Sequence, residues 1–105
     1  MKLWEILVPT VRNDGKPFRL RFHKVWDGKV YALTGGLTII HPTKGIWMNP
    51  AGRQFVERMI PVRVMCTDEQ IDRIVDMTAE YYKQEAIMFY CVSQEVQIKQ
   101  FKGVK

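Results

Sequence analysis

Alternation of apolar and polar residues is the main pattern in this chain, and it predicts several β-strands. The first strand is expected over 3–11, the second over 37–40 and the third over 55–66. Residues 46–48 either continue the second strand or pair back on it. A fourth, uninterrupted apolar run at 86–92 is typical of an internal strand. The alternating residues 96–101 then fit either a hairpin partner of that strand or a bulged extension of it.

A spacing of three to five residues between apolar side chains predicts the first helix, over about 17–33. Pro17 suits the first helical position, and Gly35 or Gly36 supplies the left-handed residue at which the helix stops. The alternation at 18–22 leaves a second interpretation open, in which a short strand precedes a helix that begins near His23. We favour the longer helix.

The second helix has the clearer beginning. Thr67 is the expected N-cap, and Gln70, three residues later, completes a capping box. An apolar stripe follows at helical spacing, and the helix is expected to end near Gln84. The residues predicted to be buried on this helix are Ile71, Ile74, Val75, Thr78 and Tyr82.

The order of these elements, β-α-β-β-α-β with an optional C-terminal strand, predicts a ferredoxin-like α+β fold, in which an antiparallel sheet carries both helices on one face. We assign residues 1–101 to this single domain and 102–105 to a C-terminal tail. The second face of the third strand is half apolar, so we expect a homodimer or a higher homo-oligomer that associates through it. The predicted dimer face consists of Phe55, Met59 and Met65, and the predicted core face of Val56, Ile60, Val62, Val64 and Cys66.

The composition indicates the general class of protein but not its function. The 105 residues are 47% apolar, which excludes a disordered chain. No stretch reaches the roughly 18 apolar residues that a membrane helix needs, so no membrane partner is expected. Cys66 and Cys91 lie in apolar strand contexts without metal-ligand spacing. We expect both to be buried free thiols of a cytoplasmic protein.

Charge is segregated along the chain. Residues 12–29 contain six basic and two acidic residues, a net charge of +4, and residues 68–85 contain six acidic and two basic residues, a net charge of −4. As adjacent helices these segments would complement each other. We therefore expect no dedicated nucleic-acid partner, and at most weak, salt-sensitive binding through Arg19 and Arg21.

The middle of the chain contains glycines and aromatic residues in a fixed order, with Gly35–Thr38 followed by Gly45–Trp47, Gly52 and Glu57. In this order and spacing, residues 6–65 resemble a group of small bacterial proteins with a ferredoxin-like fold and no assigned function. The pattern that carries the resemblance is GGLT…GxW…G. The sequence departs from the family at His41-Pro42 and over the basic segment 18–24. The resemblance implies the fold and brings no activity, cofactor or site with it.

Six residues are candidates for a ligand pocket between the helices and the sheet. Three of them would follow one another along the first helix, and three lie in the strands around the turn at 49–52. An aromatic wall with a carboxylate and a guanidinium group is an ordinary small-molecule site. The alternatives are a surface histidine, a tryptophan in the core and a Glu57 ion pair. The predicted pocket residues are His23, Trp26, Tyr31, Trp47, Glu57 and Arg58.

The sequence contains no nucleophile–base pair, no metal-ligand set and no pair of carboxylates at a useful spacing, so we predict no catalytic residue, no metal site and no cofactor. We interpret the chain as a homo-oligomeric binding or assembly module that holds a small apolar or aromatic ligand between helices and sheet. One alternative is a small enzyme of the dimeric α+β barrel kind that acts on such a compound. The other is the weak nucleic-acid binder described above.

Overall fold

The computed structural model describes residues 1–104 and contains two α-helices and five β-strands. Lys105, the last residue of the predicted tail, lies outside the described residues. No helix within residues 1–104 is long and apolar enough to cross a membrane. The elements are β1 (Lys2–Pro9), α1 (Leu20–Thr34), β2 (Thr38–Ile39), β3 (Thr43–Met48), β4 (Gln54–Cys66), α2 (Asp68–Tyr81) and β5 (Phe89–Ser93).

The strands form one antiparallel sheet in the order β2-β4-β1-β5, and β3 pairs with the other end of β4. β4 is long enough, at 13 residues, to pair with β1 through its second half and with β3 through its first. β2 and β3 pair with the same edge of β4, so residues 46–48 continue the second strand past an interruption. The predicted ferredoxin-like α+β architecture is confirmed. Between Ser93 and residue 104 no further strand forms.

The core lies between the two helices and one face of the sheet. Alternate residues of β1 and β4 supply its sheet side, and α1 and α2 supply its helix side. Trp26 of α1 is fully buried, and its indole Nε1 donates a hydrogen bond to Thr78 Oγ1 of α2 at 2.9 Å. The buried residues of the core are Ile6, Val8, Trp26, Val30, Val62, Val64, Cys66, Ile71, Ile74 and Tyr82.

The first helix begins at Leu20, three residues later than we predicted. The chain first folds back on the end of β1, where Val11 bridges Pro17 and the Phe18 amide donates to the Thr10 carbonyl at 3.0 Å. These bonds close residues 11–18 into a tight loop, with a turn at Asn13–Gly15, and exclude a helix there. The predicted left-handed stop is confirmed, because Gly35 has a φ of 82°.

The predicted capping box of α2 is present, with the Gln70 amide donating to the Thr67 hydroxyl and the Thr67 amide donating to the Gln70 side chain. The helix ends at Tyr81 and not near Gln84. Lys83 adopts a φ of 55°, in the left-handed region, and a helix cannot continue through that conformation.

The strand predictions were too long at two places. β1 ends at Pro9, which cannot donate a ladder bond, and β5 begins only at Phe89. The predicted burial of both cysteines is wrong for Cys91, which is exposed, and correct for Cys66. Val56 is also exposed, although it shares a strand face with the buried Val62 and Val64, because the helices do not extend over this end of β4.

One end of the sheet projects beyond the helices as a two-stranded ribbon. We call residues 43–58, which comprise β3, its turn and the first part of β4, the hairpin arm. The molecule has extents of 55 × 30 × 24 Å and a radius of gyration of 15.5 Å, against about 13 Å for a compact domain of this length. Large apolar side chains are exposed on the arm: Ile46, Trp47, Met48 and Val56.

Candidate functional site

An open cleft of about 600 Å³ lies where the helix layer ends and the hairpin arm begins. The end of β1 and the loop after it form one wall, the arm forms the other, and Gln84 beyond α2 closes one end. The residues that line it are Pro9, Thr10, Val11, Arg12, Asn13, Lys44, Val56, Glu57, Arg58 and Gln84.

Hydrogen bonds hold the walls of this cleft in place. The Thr10 hydroxyl donates to the Arg58 carbonyl at 2.9 Å and so ties the end of β1 to the arm. The Asn13 amide donates to the Lys83 carbonyl at 2.9 Å, and the Gln84 amide donates to Tyr82 at 3.0 Å and to Asn13 Oδ1 at 3.4 Å. The loop after β1 is therefore anchored to the end of α2.

The charge of the cleft is mainly positive. Lys44 and Arg58 are directly opposite each other in the β3–β4 ladder, so their side chains leave the same face of the sheet. Arg12 is paired with Asp14, with Nη2 and Oδ2 3.0 Å apart. Glu57 precedes Arg58 on the strand, so its side chain leaves the opposite face of the sheet.

The face of the sheet opposite the helices, which we call the open face, is crossed by a row of polar side chains. Glu5 is only 6% exposed, and it accepts hydrogen bonds from Arg63 Nε at 2.9 Å and from the Tyr90 hydroxyl. Apolar residues surround this row, and most of them are partly exposed. The apolar residues of the open face are Leu3, Leu7, Phe55, Met59, Pro61 and Met65.

The structure does not bring the six predicted pocket residues together. Trp26 is fully buried in the core. His23 is half-buried beside it, with Nδ1 2.7 Å from the Tyr82 hydroxyl oxygen, whereas Tyr31 is exposed on the far part of α1. The helix–sheet interface is thus filled by side chains where the sequence suggested a pocket.

The other three predicted residues are on the arm. Trp47 lies on the same face of the arm as Phe55, its ladder partner, and is 39% exposed. Glu57 and Arg58 line the cleft, and within residues 1–104 neither forms an ion pair. These two residues line the same cavity.

Burial sets the protonation of the aromatic cluster around His23. It lowers the pKa of His23, which the neighbouring Asp27 carboxylate partly opposes, and it raises the pKa of the Tyr82 hydroxyl. At neutral pH the phenol is therefore protonated and the imidazole neutral, and the imidazole tautomer determines which of the two groups donates the hydrogen bond between them. Burial also raises the pKa of the Cys66 thiol to about 11, with a further contribution from Asp68, which leaves this thiol protonated and unreactive at neutral pH.

Our sequence prediction missed Lys44 and Arg12 in the cleft and Glu5 on the open face. For Lys44 the predicted turn at Asn49–Gly52 gives the wrong register, because counting outward from it places Lys44 opposite Glu57. The turn in the structure is closed between Asn49 and Arg53, and Lys44 therefore faces Arg58. Glu5 and Arg63 are 58 residues apart, and no local pattern joins them. Within residues 1–104, no three His, Cys, Asp or Glu side chains are grouped so that they could hold a metal ion.

The two helices pack through aromatic side chains and not through the predicted pairing of basic residues 12–29 with acidic residues 68–85. The Phe22 and Tyr81 rings stack with centroids 4.1 Å apart, and Lys29 Nζ lies 4.9 Å from the centre of the Tyr81 ring. None of the ion pairs found within residues 1–104 joins α1 to α2.

No protein-family model and no curated protein matches the chain. Its fold is similar to that of solved structures at low sequence identity. The periplasmic divalent cation tolerance protein CutA of Archaeoglobus fulgidus superposes with a TM-score of 0.68 at 13% identity, over 93% of this chain and 87% of that one. CutA1 of Thermus thermophilus gives 0.68 at 10% identity, over 91% and 86%.

A phage S-adenosylmethionine lyase in complex with S-methyl-5'-thioadenosine is also similar, with a TM-score of 0.62 at 12% identity over 98% of this chain and 92% of that one. These likenesses agree on the small ferredoxin-like α+β fold. At such identities they show the fold alone, since one fold serves many functions.

Proposed function

We propose that this protein is a homo-oligomeric assembly module whose subunits associate through the open face of the sheet. The observation that carries the proposal is the partly exposed apolar surface on that face, which neither helix covers. Of the residues that the sequence predicted for the dimer face, Phe55 and Met65 are partly exposed on it, whereas Met59 is only 8% exposed. A sheet that is apolar on both faces is stable in water when both faces are covered.

The size of the open face suits such an interface. β4 alone is 13 residues long, which corresponds to about 44 Å of strand. Together with the flanking strands it offers an area of the order of the roughly 800 Å² that each partner buries in a standard interface. The polar row at its centre is satisfied internally by the Glu5 contacts with Arg63 and Tyr90, so covering this row leaves the Glu5 carboxylate paired.

Light scattering coupled to size exclusion tests the proposal. The wild-type protein is expected to elute as a dimer or larger oligomer at micromolar concentration. Met65→Lys, on the open face, is expected to give monomers because the ammonium group would be buried at the interface. Val25→Lys is the matched control, since Val25 is 47% exposed on α1, away from this face. A wild-type monomer at high micromolar concentration would contradict the proposal.

A second candidate function is binding of a small aromatic ligand, as the sequence suggested. It is supported by the similarity to the phage lyase, whose complex contains S-methyl-5'-thioadenosine. The expected result is a rise of several degrees in the thermal midpoint on addition of that nucleoside. An unchanged midpoint at millimolar nucleoside would remove this candidate and leave the assembly proposal untouched.

A further inference from the structure

We propose that the cleft at the base of the hairpin arm binds a small organic anion, with its phosphate or carboxylate group between Lys44 and Arg58. The starting point is the register of β3 and β4, in which these two cations are directly opposite each other. Opposed residues in an antiparallel pair have Cβ atoms about 4.5–5.5 Å apart, and like charges at this position destabilise the sheet.

Neither cation has a compensating partner in the protein. Within residues 1–104, no carboxylate lies within ion-pair distance of Lys44 or Arg58. The third cation of the cleft, Arg12, is held by Asp14. An anion placed between Lys44 and Arg58 would replace a repulsive contact with two attractive ones, and the guanidinium group can bind a phosphate or carboxylate through two parallel hydrogen bonds.

The surrounding cleft is preorganised for a ligand of small-molecule size. Its volume of about 600 Å³ lies within the range of roughly 300–1,000 Å³ that is usual for such sites. The walls are held by hydrogen bonds from the side chains of Thr10, Asn13 and Gln84. Recognition of the anionic group of a ligand therefore depends on Lys44 and Arg58. Val11 and Val56 supply apolar surface for the uncharged part of the ligand.

The positive charge here is local, and this favours a small anion over a nucleic acid. Among the cations that line the cleft, Arg12 is paired with Asp14, which leaves a charge of +2 on Lys44 and Arg58. The Glu57 side chain leaves the opposite face of the sheet. A nucleic-acid site needs a positive surface that follows several phosphates. The cleft is also on the helix side of the sheet, so it is separate from the open face and does not depend on assembly.

Calorimetric titration of the wild-type protein with inorganic phosphate, pyrophosphate and citrate at physiological salt tests the proposal. Binding of at least one of these anions is expected. Lys44→Gln and Arg58→Gln should each weaken it by about tenfold. Lys24→Gln and Arg21→Gln remove the same charges from α1, outside the cleft, and should leave the affinity unchanged. Phosphate or pyrophosphate as the best probe would indicate a phosphorylated ligand, and citrate a carboxylate.

A measurement without ligand complements the titration. Lys44→Glu places a carboxylate opposite Arg58, so it should raise the thermal midpoint of the free protein and abolish anion binding. The proposal is overturned if none of the three anions binds, if the α1 variants weaken binding as much as the cleft variants do, or if a single-stranded oligonucleotide binds more tightly than pyrophosphate.

Discussion

The ring of Trp47 lies directly over Gly45, two positions earlier on the same strand. A Cβ atom at position 45 would stand 2.6 Å from Cζ3 of that ring and 2.7 Å from the terminal methyl group of Met59. The glycine thus allows the indole and the methionine to close over the backbone of the hairpin arm. This contact explains a glycine in the middle of a strand, where glycine is otherwise unfavourable.

Gly45→Ala is expected to destabilise the protein by about 1–3 kcal/mol, because the Trp47 ring must leave its position to admit the methyl group. Gly28→Ala is the control, and its expected effect on the free energy of unfolding has the opposite sign. Gly28 lies within α1 with no atom within 4 Å of an added Cβ, so alanine there should stabilise by about 0.5–1 kcal/mol. Urea unfolding of both variants measures the difference. Equal effects of the two substitutions would contradict the proposed role of Gly45.

The Glu5–Arg63 pair predicts an asymmetric response to mutation. Glu5 is buried, whereas the Arg63 side chain is 43% exposed. Arg63→Met leaves a buried carboxylate with Tyr90 as its remaining partner and should cost about 1–3 kcal/mol. Glu5→Gln keeps the shape and frees a guanidinium group that can reach water, so it should cost about 1 kcal/mol or less. Urea unfolding measures the loss of stability in both variants. A larger loss for Glu5→Gln than for Arg63→Met would contradict the prediction and show that the charge of Glu5 matters more than its shape.

How much of this structure was predictable depends on how local the determining contacts are. The α2 capping box at Thr67 and Gln70 is contained in four residues, and it was predicted correctly. The start of α1 was not, because Pro17 is held by a bridge to Val11 and not by its own helix propensity. The preference of proline for the first helical position is weaker than the backbone hydrogen bonds that this segment forms with the end of β1.

The cleft was less predictable still. Its walls come from the end of β1, the arm and Gln84, and only the assembled sheet brings them together. The sequence did indicate Glu57 and Arg58, since they are charged residues in an apolar strand. It also indicated Trp26, but an aromatic residue at helical spacing is equally compatible with the core, and the core is where Trp26 lies.

His23 predicts a stability that falls in mildly acidic solution. Its pKa in the folded protein lies below the ordinary value of 6.5, first because of burial. The unfolded chain therefore binds the proton more readily, and the free energy of unfolding should decrease as the pH falls below about 6.5. His23→Gln should remove this part of the pH dependence, whereas His41→Gln, in the exposed segment between β2 and β3, should keep it. Thermal midpoints between pH 7.5 and 5.5 give the comparison. A slope that survives in His23→Gln would assign it to another group.

Nucleic-acid binding is expected to be weak, and the aromatic cluster gives the physical reason. Non-specific binders of single strands stack bases on exposed aromatic rings beside basic residues. Here Phe18 and Phe22 stack on each other with centroids 5.0 Å apart, and Phe22 stacks on Tyr81, so these rings are already occupied. Arg19 and Arg21 then offer phosphate contacts alone. Fluorescence anisotropy with a labelled oligonucleotide should show binding only at low salt, lost by about 200 mM salt as counterion release implies. Submicromolar affinity at physiological salt that disappears in Arg19→Glu/Arg21→Glu would instead identify α1 as a nucleic-acid surface.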